Sequence, residues 1–232
     1  MLKYVDRRKT NSSKWDGLKT VFQSEDLLPL WVADMDFKVC DCVLKKLDEY
    51  LKFGVFGYYV EPKQYKESFI KWEQAYHNYK VHEDWIRYSP GVVPAINWLI
   101  QILTKRNDAV IVLTPVYYPF LDAVENNKRK LIESDLINRS GRYTIDFRDF
   151  ENKIIKNSVK LFLLCSPHNP VGRVWKKDEL EKLMNICKKH NVKVISDEIH
   201  QDIIIGQNSH VPTASIGNYD SVLVTLDRKS TR

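Results

Sequence analysis

The chain has 232 residues, of which 44% are hydrophobic, and a formal net charge of +6 at pH 7. This length and composition are typical of a globular protein with one large domain or slightly more. No apolar run approaches the ~20 residues of a membrane-spanning helix, and the lysines are dispersed, so the sequence supports neither membrane insertion nor nucleic-acid binding.

The first 45 residues are predicted to form an N-terminal arm and part of a small domain. Residues 1–30 are polar and irregular, and a short apolar piece then ends at Asp34 and Asp36. From residue type alone, these two carboxylates are typical of a turn or a helix start. Residues 40–53 are predicted to form an amphipathic helix that stops at Gly54. From residue type alone, the aromatic segment 56–59 is typical of a turn packed on a core.

Residues 46–226 are predicted to form one large α/β domain. Pro62 should open a helix that continues to Tyr79 with a core stripe of Phe69, Trp72 and Tyr76. Residues 89–94 form a turn that leads into a helix. The remaining pattern predicts strands at 85–88, 109–113, 128–134, 161–165, 192–196 and 221–226, a polar loop at 136–143, and helices at 145–155 and 178–190.

The stretch from Leu161 to Asp202 is a strand–helix–strand unit, so its two strands should lie parallel in one sheet. Ligands bind at the carboxyl ends of the strands in open parallel sheets. Asn169, Asp197 and His200 all follow such ends. We therefore expect these polar side chains to converge on one edge of the sheet.

Six blocks in a fixed order resemble the pyridoxal-phosphate (PLP) enzymes of the aminotransferase class I/II family, and most closely the MalY/PatB-type cystathionine β-lyases. The blocks are DRRKTNSSKWD, LPLWVADMDF, FGYY, SPGVVPAI, TPVYYPF and the pair SPHNPVGRVW with ISDEIHQD. The resemblance covers roughly residues 4–226. It implies PLP-dependent transferase fold type I, with a mostly parallel sheet between helices and a C-terminal small domain that is missing from these residues.

The resemblance assigns a cofactor role to seven residues and a substrate role to one. Asp197 would keep the pyridine nitrogen protonated, and Asn169 and His200 would lie near the phenolate oxygen. The others are the phosphate-binding amides of Val92 and Val93, the stacking ring of Tyr117, Tyr58 reaching the phosphate of a neighbouring subunit in a homodimer, and Ala33 near the substrate carboxylate. The residues alone leave plainer alternatives open: a capping aspartate, a structural histidine, a surface tyrosine and an ordinary helix start.

The resemblance also predicts a lysine that forms a Schiff base with the cofactor. Counting from Leu226, that lysine should fall at position 231, where the sequence has Thr231, and Lys229 is two places early. We interpret residues 227–232 as a tail foreign to the family, resembling a translated sequencing adapter. We therefore expect this chain not to turn over substrate by itself and assign it no catalytic residue.

The function implied for the full-length protein is C–S β-lysis of cystathionine or a cysteine conjugate to a thiol, pyruvate and ammonia. An aminotransferase is the alternative within the fold, and a non-catalytic regulatory protein is the alternative outside catalysis. A nucleotide-binding Rossmann domain is not supported, because neither GxGxxG nor GxxxxGK[ST] occurs.

The four cysteines form no CxxC pair, and the spacing of cysteine and histidine does not indicate a zinc site. This usage favours a reducing compartment. The N-terminus has no apolar segment typical of a secretory signal. We therefore expect a cytoplasmic protein that binds no metal.

Overall fold

The computed structural model describes residues 3–217 and the strand at 223–226. Within them, one compact unit ends at Val60 and a second begins at Glu61. The predicted boundary lay at residue 45, and the assignment of the first unit to a small domain stays a prediction. None of the helices in the described ranges is both long enough and apolar enough to span a bilayer.

The first unit contains helices α1 (Ser13–Asp16), α2 (Leu18–Phe22) and α3 (Asp41–Phe53). Helix α3 ends as predicted at Gly54, whose φ of 71° is the left-handed conformation that glycine adopts without a steric cost. Its apolar side is not buried, since Leu47 and Leu51 are mostly exposed.

An ion-paired cluster joins two segments of this unit, residues 6–16 and residues 28–37. The Asp36 carboxylate accepts hydrogen bonds from Lys14 Nζ at 2.8 Å and Trp15 Nε1 at 3.0 Å. Arg7 Nη1 lies 2.7 Å from Asp34 Oδ2. Both aspartates therefore connect residues 31–37 to residues 7–15. From the sequence we interpreted them only as turn or helix-start residues, which missed this role.

The second unit alternates helices and strands. Its helices are α4 (Lys63–His77), α5 (Val92–Leu103), α6 (Pro119–Asn126), α7 (Phe147–Asn157) and α8 (Lys177–Lys189), with short 3-10 helices at Glu83–Trp85 and Thr213–Ser215. Its strands are β1 (Ala109–Thr114), β2 (Lys130–Asp135), β3 (Ile137–Arg139), β4 (Arg142–Thr144), β5 (Leu161–Cys165), β6 (Lys193–Asp197) and β7 (Leu223–Leu226).

Five of these strands form a parallel sheet in the order β2-β1-β5-β6-β7 among the described residues. The predicted parallel pairing of β5 with β6 is confirmed, and Cys165 is paired with Asp197 at the carboxyl end. The chain leaves β1 for β2 on one side and returns to β5 on the other. The strand order thus reverses between β1 and β5, and such a reversal opens a crevice where ligands bind in open α/β sheets.

Side chains alternate along each strand, so apolar residues point to both faces of the sheet. Helices cover both faces. Val110 and Val112 of β1 face one apolar cluster, and Ile111 and Leu113 face the other. The first cluster holds Ile96 and Ile100 of α5 with Phe120 and Val124 of α6; the second holds Phe150 and Ile154 of α7 with Leu180 and Leu183 of α8. The predicted α/β architecture is confirmed, and the strands are apolar throughout because both faces are buried.

Some local predictions are wrong. Residues 85–88 form no strand, since a 3-10 helix ends at Trp85. The segment 136–143 forms most of an antiparallel hairpin of β3 and β4 rather than a loop. In α4 the fully buried residue is Glu73, whereas Tyr76 of the predicted core stripe is exposed.

Candidate active site

Three of the predicted site residues lie at the carboxyl ends of the neighbouring strands β1, β5 and β6, beside the point where the strand order reverses. Tyr117 follows β1, Asn169 follows β5, and Asp197 is the last residue of β6. Ile195 and Cys165 belong to the cluster on the α5/α6 face. Because side chains two apart on a strand share a face, Asp197 also lies on that face.

Backbone and side-chain hydrogen bonds connect the segments after β1 and β5. The Tyr117 N–H donates to the Asn169 carbonyl at 3.0 Å. The His168 ring donates through Nε2 to the Pro115 carbonyl at 2.9 Å. The Asn169–Pro170 peptide bond is cis, as the resemblance suggested. Tyr117 and Asn169 therefore hold a fixed relation to each other at the crevice.

The Asp197 carboxyl is buried, with 4% of the residue exposed. Its Oδ1 accepts a hydrogen bond from the Ile199 N–H at 3.1 Å. Burial, followed by the charges of Tyr118 and Asp197, raises the pKa of Tyr117. Burial and then the Asp197 charge raise the pKa of Cys165 to about 12. The Asp197 carboxylate therefore lies close enough to Tyr117 and Cys165 to affect both pKa values, and a buried carboxylate at this place suits a cationic ligand atom.

The N-terminus of α5 contains Val92 and Val93. The helix begins at Val92, three residues before the predicted start, and its first intrahelical bond runs from the Ala95 N–H to the Gly91 carbonyl. The amides of the first helical turn precede that bond and are available to an anion. Val92 packs against the cluster that includes Val116 and Cys165, which brings this helix start to the crevice side of the sheet.

Gly91 sets the direction of the chain into α5. Its φ of 146° and ψ of 163° fall in a region that essentially only glycine occupies. The Ser89 hydroxyl donates to the Gly91 carbonyl at 2.8 Å and holds this turn. A side chain at position 91 would therefore shift the amides that follow.

His200 lies in the turn that follows β6. The Gln201 N–H donates to the Glu198 carbonyl, and the Ile203 N–H donates to the His200 carbonyl, both at 2.9 Å. His200 is half-buried, and burial lowers its pKa. The neutral imidazole is therefore favoured there, three residues after Asp197.

A buried polar clamp around Glu198 supports this turn, and sequence reasoning missed it. Glu198 Oε1 accepts from the Ser196 hydroxyl and the Thr213 N–H, both at 2.9 Å, and Oε2 accepts from His210 Nε2 at 3.2 Å. Glu198 directly follows Asp197, so the two acidic residues stand side by side at the end of a strand. That pair was the available sequence signal: one carboxylate lies at the crevice, and the other holds the turn in place.

Helix α4 holds the other end of the same turn. Gln201 Nε2 donates to Glu73 Oε1 at 3.0 Å. Asp202 Oδ1 accepts from His77 Nε2 at 2.8 Å and from Trp72 Nε1 at 3.0 Å. Side chains at 198, 201 and 202 thus anchor the backbone on which Asp197 and His200 are carried.

Ala33 and Tyr58 belong to the first unit, and both side chains are exposed. Their roles toward substrate and a neighbouring subunit stay predictions. The position predicted for the Schiff-base lysine, residue 231, lies outside the described residues, as does Lys229.

The whole arrangement agrees with one known family. The profile of the family described as aminotransferase class I and II matches residues 25–227. The chain belongs to this family. Its mostly parallel sheet with flanking helices is that of the PLP-dependent transferase fold type I, as the likeness to solved members indicates.

Several members of the family are similar over almost the whole chain. Cystathionine beta-lyase PatB of Bacillus subtilis is 42% identical over 216 residues, which cover 93% of this chain and 56% of PatB. A solved PLP-bound protein of Clostridium difficile 630, provisionally described as an aminotransferase, is 50% identical with a TM-score of 0.92, covering 97% of this chain and 58% of that one. The PLP-bound C-S lyase of Staphylococcus hominis is 35% identical with a TM-score of 0.90, covering 98% and 58%. The chain therefore spans somewhat more than half the length of these relatives.

Proposed function

We propose that this chain binds pyridoxal phosphate at the crevice between β1, β5 and β6, and that the protein it represents is a C–S β-lyase. The observation that carries the proposal is the buried Asp197 carboxyl on the same edge of the sheet as Tyr117 and Asn169. The similarity to PatB and to the C-S lyase of Staphylococcus hominis supports the same cofactor and reaction class.

The donor set fits a flat, anionic, heteroaromatic group. A buried carboxylate favours a protonated ring nitrogen, because an opposite charge within ~4–6 Å favours the charged form. The first amides of α5 suit a phosphate. Tyr117, a residue that is 37% exposed, offers an aromatic ring at the crevice.

When bound, pyridoxal phosphate supplies an electron sink for the charge that develops at the substrate α-carbon. Asp197 would hold the proton on the ring nitrogen, and burial strengthens that pairing by excluding water. Asn169 would donate its side-chain N–H to the phenolate oxygen without adding a charge. His200, neutral because burial lowers its pKa, would contact the same side.

The remaining contacts would orient the ligands. The Val92 and Val93 amides would bind the phosphate, and the Tyr117 ring would cover one face of the pyridine. Ala33 would border the substrate carboxylate. Tyr58, whose side chain is fully exposed, would reach the phosphate in the other subunit of a homodimer. Its free surface supports a role outside its own subunit.

The substrate class that we propose is an amino acid with sulfur on its β-carbon, giving a thiol, pyruvate and ammonia. We place the protein in the cytoplasm, a location that its four free cysteines support. An aminotransferase is the second candidate, because a neighbour of 50% identity is provisionally described as one.

Cofactor binding is tested by adding pyridoxal phosphate to the chain and following the near-ultraviolet and visible spectrum. We expect saturable binding that Asp197→Asn weakens at least tenfold, since one lost charge pairing of about 1.4 kcal/mol corresponds to that factor. Asp178→Asn is the matched control, because Asp178 is exposed at the start of α8. Equal affinity in all three proteins would contradict the proposed site.

The reaction is tested separately, in a version extended to include the predicted lysine. Pyruvate and free thiol released from cystathionine support the lyase, whereas amino-group exchange with a keto acid supports the aminotransferase. The same assay on the 232 residues alone checks the expectation that they do not turn over substrate; pyruvate release by them would overturn our interpretation of the tail.

A further inference from the structure

The first unit carries a pair of thiols that the proposed function does not use. Cys40 is the N-cap of α3, and Cys42 is the second residue of that helix. Their Sγ atoms lie 2.9 Å apart, and both residues are exposed. Cys165 and Cys187, in contrast, are buried in the two apolar clusters.

The distance between the two sulfurs favours a bond between them over a shared metal ion. A disulfide needs about 2.05 Å, so the sulfurs would approach by roughly a further 0.9 Å. Two thiolates on one tetrahedral ion, each about 2.3 Å from it, would lie roughly 3.8 Å apart. Within the described residues, no group of three or more potential ligands completes a metal site.

The surroundings favour a thiolate on Cys40. The thiols of Cys40 and Cys42 are in hydrogen-bond contact, and this contact lowers the pKa of Cys40 and raises that of Cys42. The N-terminus of α3 adds a partial positive charge. The intervening Asp41 is paired with Lys38 Nζ at 2.7 Å, which offsets its negative charge beside the thiols.

We propose that Cys40 and Cys42 form a dithiol redox site that reacts with small-molecule disulfides to give an intramolecular disulfide. The Cys40 thiolate attacks one sulfur of the small disulfide, whose S–S bond breaks and releases one thiolate, which takes up a proton. Cys42 then loses its proton to solvent and attacks the Cys40 sulfur of the mixed disulfide, releasing the second thiol. Two cysteine thiols are oxidised to one disulfide, and the small disulfide is reduced to two thiols.

The second step is fast because it is intramolecular. The two sulfurs are already in contact, so the mixed disulfide on Cys40 meets its attacking thiol at a high effective concentration. This inference rests on the first unit alone and does not depend on cofactor binding or on the proposed reaction.

The test is incubation of the folded chain with oxidised glutathione, followed by acid quenching, alkylation and tryptic mass spectrometry. Cleavage after Lys38 and Lys45 gives one peptide that contains both cysteines. We expect that peptide to lose two hydrogen atoms and to carry no glutathione, while Cys165 and Cys187 remain reduced because they are buried.

Two matched variants assign the roles. Cys42→Ser should retain glutathione on Cys40, because the attacking thiol of the second step is gone. In Cys40→Ser, the new serine is a residue type that suits the N-cap of α3, so the helix start is kept. The remaining thiol of this variant, Cys42, should react with oxidised glutathione more than threefold slower than Cys40 does in Cys42→Ser. Stable glutathione adducts on the wild-type chain, disulfides only between chains, or equal rates in the two variants would overturn the proposal.

Discussion

The polar clamp at Glu198 tests how burial changes the contribution of a glutamate–histidine pair to the free energy of unfolding. The Glu198–His210 pair has side-chain exposures of 4% and 1%, whereas Glu151 and His190 form a similar pair, 2.8 Å apart, at 28% and 21% exposure. Both pairs join a glutamate to a histidine, so the substitutions Glu198→Ala and Glu151→Ala compare a buried pair with an exposed one. Each glutamate also loses its other partners: Ser196 and Thr213 for Glu198, and Lys189 for Glu151.

The expected magnitudes differ several-fold. Removing the Glu198 carboxylate leaves the Ser196 hydroxyl, the Thr213 N–H and His210 without that acceptor. Breaking a buried pair of this kind costs about 3–5 kcal/mol in the free energy of unfolding. Glu151→Ala should cost less than about 1 kcal/mol, because surface pairs contribute little.

The assay is urea unfolding monitored by circular dichroism. The free energies of unfolding are compared between variants whose free energy has the same dependence on urea concentration. Glu198→Gln is the informative intermediate, since its amide oxygen still accepts from Ser196 and Thr213, and it should cost about 1–2 kcal/mol. Losses that are equal and small for Glu198→Ala and Glu151→Ala would refute the view that the clamp is a buried support of the site.

Three further outcomes follow from the same contacts. Gly91→Ala should destabilise the protein by about 1–3 kcal/mol, because φ is 146° and ψ is 163° there, and it should weaken phosphate binding; thermal unfolding and a phosphate titration check this. Phe162→Ala, at a fully buried site between β5 and α7, should cost about 3–5 kcal/mol in urea unfolding, and Phe53→Ala, on an exposed side chain, serves as its control. Hydrogen bonds from Lys14 and Trp15 lower the pKa of Asp36, so its stabilisation is fully present above its unfolded pKa of about 3.9 and is lost as the pH falls through the lower folded value. The Trp15 indole N–H resonance should move toward its unfolded position in that acidic range, and Asp36→Asn should abolish the transition.

The central strands could be predicted from the sequence because short continuous runs of apolar residues mark them. The runs 109–113 and 161–165 are apolar throughout and end in proline-containing turns, a pattern that fits strands buried on both faces. The pairing of Cys165 with Asp197 then follows from parallel topology. For this reason Asn169 and Asp197 could be assigned to one edge before any coordinates were known.

Other features depended on contacts between distant residues. The strands β3 and β4 have three residues each and largely exposed side chains, so no alternation of polar and apolar residues marked them. Glu73 is buried in α4 because Gln201, 128 positions away in the sequence, binds it. Glu198 was overlooked because its partner His210 lies across a loop whose path the sequence does not reveal.

The sheet order also bears on how the protein forms during synthesis. Strands β5, β6 and β7 are added one after another to the same edge of the sheet: β5 pairs with β1, β6 with β5 and β7 with β6. A chain emerging from the ribosome can therefore extend a nucleus of β1 and β2 stepwise, without inserting a late strand between early ones. Tyr117, Asn169 and Asp197 would come together in the order in which they are translated, and the crevice would be complete only once β6 has docked.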